Sequence, residues 1–239
     1  MDNPGYIGLT RMKGLADEMR AVANNIANSS TTGFRSEALV FAEVLAQAPV
    51  DGGALAMAAP RAHVTDPSPG GFTATGGNFD LAIEGEGYFQ VLTPQGPRLT
   101  RAGAFLIGPD GAVQNAQGAA LLDAGGGPIL IAPDARNVLI AEDGAISVNG
   151  QPVGQVGVFD APPESLLRED GVTFRTDAAP DPAPEARIKQ GFLEDSNVSP
   201  VEQMARMIEV QRAYELGQSF LDMEDERLRE AVRTIGRTG

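Results

Sequence analysis

A chain of 239 residues with 42% hydrophobic content is long enough for one large domain or two small ones with a sizeable core, so global disorder is excluded. It has no cysteine and one histidine, His63, which excludes disulfides, thiolate catalysis and Cys- or His-cluster metal sites. A net charge of −14 makes a poor general binder of nucleic acid or anionic lipid, and 5% aromatic content without Trp disfavours a sugar- or base-stacking platform.

The acidity is concentrated in the middle. Residues 1–45 carry net −1 and 187–239 net −2, whereas 46–186 carry −11. This suggests a tripartite chain of helix, sheet-rich body and helix. The opening run MDNPGYIGLTRMKGLADEMR has no basic start followed by an apolar stretch, so no cleavable signal peptide is expected. No run reaches the roughly 18 apolar residues of a membrane-spanning helix.

Leu9, Met12, Ala16, Met19, Ala23 and Ile26 step by three and four, which predicts an amphipathic helix. Either Asn3 or Thr10 could cap it, and Asn28-Ser29-Ser30 should end it. Residues 48–60 are rich in Gly, Ala and Pro and read as a loop. The middle then reads as all-β. Asp80–Leu92 gives two short strands around Gly85 and Gly87, and 98–107 gives another. Val138–Ile140, Ala145–Val148 and Val153–Phe159 follow, with turns at Pro109-Asp110-Gly111, Glu142-Asp143-Gly144 and Asn149-Gly150. Residues 176–186 read as a flexible loop.

The last segment has the clearest helical pattern. Met207, Val210, Tyr214, Gly217, Leu221, Glu224, Leu228, Ala231 and Ile235 form one seam. Ser199-Pro200, with Glu202 three residues beyond Ser199, has the form of a capping box. The helix is expected over about 200–235, pairing with the N-terminal helix and with copies of itself; a helical hairpin folded on the body is the alternative.

Catalytic motifs are lacking. His63 has no second imidazole and no nearby nucleophile in a strained elbow. Glu84 and Glu86, flanked by glycines, fit a turn or bulge better than an acid/base pair. Gly125-Gly126-Gly127 lacks the Gly-Lys-Ser/Thr of a phosphate loop, and the spacing around Asp134, Arg136 and Asn137 does not supply a calcium loop. No cofactor, metal, nucleic-acid or small-molecule partner is expected, and the chain is read as a non-enzyme.

Four blocks carry a family resemblance: VANNIANSSTTGFR at 22–35, DLAIEGEGYFQV at 80–91, LTRAG at 99–103 followed by Phe105 and Asp110-Gly111, and QGFLEDSNVSPVEQMARMIEVQRAYE at 190–215. In this order they resemble the flagellar basal-body rod proteins. The length and the start YIGLTR are similar to the proximal-rod members; the distal rod proteins share the pattern at somewhat greater length. The resemblance implies a structural, non-enzymatic subunit of the basal-body rod. It would be exported through the flagellar export apparatus without signal cleavage and assembled axially with copies of itself and other rod proteins.

It further implies a mainly β central body with long N- and C-terminal α-helices that pair and pack in an axial helical assembly. The divisions expected are 1–33 for the N-terminal assembly helix, 34–79 for an extended connection, 80–186 for the β body, and 187–239 for the return segment and C-terminal assembly helix. By position, Asn24, Asn25 and Asn28 would satisfy backbone groups at the end of the first helix or lie between subunits. Gly33 would make a turn with positive φ, and Phe34 would anchor into the body. Asn197 and Pro200 would mark entry to the last helix, with Val210, Gln211, Arg212, Tyr214, Leu221 and Leu228 along it. A β-rich adaptor with helical arms is the alternative from another class.

Overall fold

The computed structural model describes residues 3–46 and 55–237. The chain divides into two compact units. One contains residues 1–27, 37–66 and 199–239; the other contains 28–36 and 67–198.

In the helical unit, α1 spans Asn3–Ala27 and α2 spans Pro200–Arg237. Between them in sequence, β1 (Glu37–Ala46) and β2 (Leu55–Thr65) form an antiparallel hairpin. Part of the stretch expected as a connection is therefore sheet. The loop expected over 48–60 is strand from Leu55 onward; its first part lies outside the described residues. The register slips between Val40 and Phe41, opposite Pro60. A proline has no N–H for a ladder, so a bulge is where one is tolerated.

The helices pair antiparallel: Gly8 lies against Leu221, Met12 against Gly217, and Glu18 binds Arg206. Helix α1 also packs on the hairpin. Its best-buried positions are Gly14, Ala21, Val22 and Asn25. This face is rotated away from the apolar stripe read in the sequence, where Leu9 is 60% exposed and Ala23 is exposed. The small side chains admit a close neighbour, so the more apolar stripe is left partly open.

The β unit is antiparallel throughout. Its strands are β3 (Phe72–Ala74), β4 (Leu81–Glu84), β5 (Tyr88–Thr93), β6 (Gly96–Thr100), β7 (Phe105–Ile107), β8 (Val113–Asn115) and β9 (Ala120–Leu121). Then come β10 (Val138–Ile140), β11 (Ala145–Val148), β12 (Gln151–Gln155), β13 (Val158–Asp160), β14 (Leu166–Asp170), β15 (Thr173–Thr176), β16 (Asp181–Pro182), β17 (Arg187–Gln190) and β18 (Phe192–Glu194). The main sheet runs β14-β15-β6-β5-β9-β8-β7, with β13 joining β5 and β16 joining β13. Smaller sheets are β10-β11-β12, β4-β17 and β3-β18. Two late strands thus pair with two early ones.

Strand β5 alternates in and out with period two; it is buried on both faces at its start, and Leu92 further along is exposed. Phe89 and Val91 enter a core with Leu81, Leu121 and Ile146; Tyr88 enters a second cluster with Leu99 and Phe174. The single strand expected over 98–107 is split. Its middle leaves the sheet because Gly103 accepts the Leu81 N–H at 2.9 Å, and a Cβ at Gly103 would collide with the Leu81 carbonyl. The strand expected over 153–159 is also interrupted, where Val156 bridges Asp123. The Asn149-Gly150 hairpin turn forms as read, with both residues at positive φ. The 176–186 stretch begins at the last residue of β15 and otherwise contains the two-residue β16.

Candidate assembly site

The first and last sequence blocks meet in the β unit. After α1, the Thr31 N–H donates to the Asn28 carbonyl at 3.0 Å, and the Phe34 N–H donates to the Thr31 carbonyl at 3.1 Å. The Thr31 hydroxyl also bonds the Asn28 side chain. Gly33 has φ +66°, and its N–H donates to the Glu194 carbonyl at 2.7 Å. Phe34 is fully buried, with the Arg168 guanidinium 4.7 Å above its ring and 4.8 Å from the Phe174 ring. Phe34 thus packs inside the β unit.

Behind Phe34 lies a buried charge cluster. Glu194 binds Arg35 at 2.6 Å and Arg101 at 3.3 Å, and all three side chains are buried. Glu194 also accepts the Gly70 N–H at 3.1 Å. Arg35 donates to the Ser68 carbonyl, while Arg101 donates to the carbonyls of Ile83 and Gly85. These bonds offset the loss of water around the charges. Burial pushes the Arg101 guanidinium below its ordinary range, and Glu194 opposes that. Asn197 completes the closure. Its side chain accepts the Ser36 N–H at 2.6 Å and donates to the Ser68 carbonyl, and its own N–H donates to the Phe34 carbonyl. Sequence reading missed Arg35, Arg101 and Glu194, although each stands inside a quoted block. An unpaired-looking arginine directly after an aromatic anchor was the available signal.

Tyr88 sits beside this cluster, edge-on to Phe174 and under Arg101. Burial raises its hydroxyl pKa, a shift opposed by Arg101. A raised folded-state value leaves stability intact below the unfolded pKa of about 10 and removes it as pH rises through the folded value. Thermal stability should therefore fall above about pH 10, and Tyr88→Phe should reduce that alkaline loss relative to wild type.

In the helical unit, Asn25 is 1% exposed and closes a two-way pair with Glu37: it donates to the Glu37 carbonyl at 2.8 Å and accepts its N–H at 2.9 Å. It also donates to Gln203 of α2. Of the three asparagines singled out, Asn25 thus satisfies a neighbouring strand's backbone, Asn28 stabilises the turn, and Asn24 faces solvent. Pro200 is the first residue of α2, and Ser199 accepts the Glu202 N–H at 3.5 Å. Val210 is 2% exposed in the α1–α2 seam, with Tyr214 and Leu221 half-buried. Gln211 and Arg212 are exposed. Leu228, read as part of the seam, is 52% exposed, so the covered seam ends before it.

Helix α2 has a second apolar face. Val201, Met204, Ile208, Leu216, Phe220 and Met223 are all exposed. At about 100° per residue they lie roughly 90–170° around the helix from the centre of the Val210, Tyr214, Gly217 and Leu221 face. Beside the seam, Ala16, Met19, Arg20 and Ala23 of α1 and Gln211, Tyr214 and Glu215 of α2 line an open groove of about 630 Å³. Among the described residues, no group of three or more His, Cys, Asp or Glu is placed to hold a metal ion, and no helix is long and apolar enough to cross a membrane.

Comparison with known proteins accounts for both ends and part of the body. Residues 6–35 match the flagella basal body rod protein family, 82–148 the D1 domain of flagellar hook protein FlgE/F/G, and 189–234 the C-terminal region of flagellar basal body rod FlgEFG proteins. The chain is 39% identical to the flagellar basal-body rod protein FlgF of Caulobacter vibrioides, covering 99% of each. It is 31% identical to FlgF of Rhizobium meliloti, covering 97% of each. It is 30% identical to the rod protein FlgG of Bacillus subtilis, covering 95% of this chain and 97% of that protein. The chain belongs to the flagellar basal-body rod protein family, and its general role is that of a structural subunit of the basal-body rod.

Proposed function

We propose that this chain is a proximal axial subunit of the rod. It is exported without a cleaved signal and stacks through its terminal helices on copies of itself and on other rod proteins. The observation that carries this is the exposed apolar surface of α2 outside the seam that α1 occupies. A helix with apolar residues both inside and outside its seam has more surface to bury than one partner covers. The full-length similarity to FlgF of two organisms supports the proximal assignment.

Cryo-electron microscopy of basal bodies, with density for this chain assigned, tests the position. Density at the proximal end of the rod supports the proposal, and density confined to the distal rod overturns it. Substitution tests the helix pair. Val210→Asp places a carboxylate in the seam at a cost of several kcal/mol. Motility is expected to be lost while the melting of the β unit stays near wild type. Normal motility at normal expression would refute the role given to this seam.

A further inference from the structure

Asn149-Gly150 is the one asparagine–glycine pair in the chain, and it forms the exposed turn between β11 and β12. Both residues have positive φ, 51° and 79°. The Asn149 backbone N–H donates to the Asn137 carbonyl at 3.3 Å. Its side-chain amide and the Gly150 N–H have no partner among the described residues. A Cβ built at Gly150 would meet nothing within 4 Å, so the space around that nitrogen is open. Other candidate positions are closed. In the Asp110-Gly111 and Asp143-Gly144 turns the glycine N–H groups donate to Gly108 and Ala141 at 3.0 and 2.9 Å. Each of those carboxylates accepts the N–H two residues on. Asn25, Asn115 and Asn197 commit their side chains to backbone groups.

We propose that Asn149 is a site of spontaneous modification by deamidation. The Gly150 nitrogen gives up its proton to water and attacks Cγ of the Asn149 side chain. A C–N bond forms there, and the side-chain nitrogen takes up a proton and leaves as ammonia. Water then opens the cyclic imide at either carbonyl, giving aspartate or its β-linked isomer, with no oxidant or cofactor. For the nitrogen to reach Cγ, the Asn149 backbone must rotate out of the turn. The hairpin favours such local opening, because β12 is the edge of its sheet and all five of its residues are exposed. The product places a further negative charge on the turn, and the β-linked form adds a methylene to the backbone. Turn geometry sets hairpin register, so the pairing of Val148 with Gln151 should loosen.

Incubation of the purified full-length protein at mildly alkaline pH, followed by peptide mass mapping, tests this. The peptide containing Asn149-Gly150 should gain the mass of an amide-to-acid exchange before any other asparagine peptide does. It should resolve into two products, one of them methylated by a protein isoaspartyl methyltransferase. The rate should rise with pH, since the nitrogen attacks after losing its proton. Gly150→Ala should slow the conversion several-fold, because a methyl group crowds the attacking nitrogen. That variant also strains the turn at positive φ, so Asn149→Gln is the second test. It keeps an amide one methylene further from the nitrogen, and conversion at this position should be lost. No mass gain at Asn149 over the time in which a short peptide of the same sequence converts would overturn the proposal. Faster conversion of Asn78 or Asn137, or an unchanged rate in Asn149→Gln, would overturn it as well.

Discussion

Glu194→Gln is expected to be among the most destabilising single changes in the β unit. The substitution is nearly isosteric but removes the one carboxylate that Arg35 and Arg101 share. Two buried guanidinium groups would then face a neutral amide. Removing one member of a buried ion pair costs about 3–5 kcal/mol, because the remaining charge is neither solvated nor paired. Against a typical total stability of about 5–15 kcal/mol, the loss is large. The thermal midpoint of the β unit should fall by roughly 6–20 °C. Replacing all three residues by apolar side chains of similar volume should cost less than the single change, since well-packed apolar groups often substitute for buried ions. Calorimetry on the single and triple variants checks this. A midpoint for Glu194→Gln within a degree or two of wild type would mean that the cluster is not held dry.

Gly33→Ala should be nearly as damaging, and Gly33→Val worse. Two independent costs apply. At φ +66° an L-side chain is strained by about 1–2 kcal/mol. A Cβ would also sit 2.3 Å from the carbonyl carbon of Arg101 and 2.4 Å from the Ala102 nitrogen. These are backbone atoms that cannot swing away, so strand and turn must separate. The combined loss is expected to reach at least about 3 kcal/mol. From sequence, Gly33→Val should harm assembly far more than the stability of the middle. The structure changes this expectation, because residues 28–36 belong to the β unit and Gly33 packs on its backbone. Melting of the purified variant should show the loss before any assembly step. Rescue of stability by an Asn at position 33, which tolerates positive φ, would show strain outweighing the collision; failure of that rescue is the expected outcome.

The residues themselves determined the plan of this molecule wherever local physics suffices. Short apolar runs between glycine- and asparagine-containing turns placed β4, β5, β10 and β11, because a strand and the turn that ends it are written in consecutive side chains. Ser199-Pro200 placed the start of α2, and the Asn-Ser-Thr run placed the end of α1. Gly33 was legible for the same reason: a turn after a helix demands a conformation that glycine adopts most readily. The tertiary structure alone decided what depends on distant neighbours. The α1 stripe predicted an apolar face but not which face would be covered, since the covered positions Gly14, Ala21 and Asn25 carry little hydrophobic signal beside Leu9 and Met19. The β1–β2 hairpin was hidden because composition averages over a window, while strand pairing depends on register. The Arg35–Glu194–Arg101 cluster was invisible as a site because its members stand 66 and 93 residues apart along the chain, and a charge in sequence looks the same whether it ends in water or in a core.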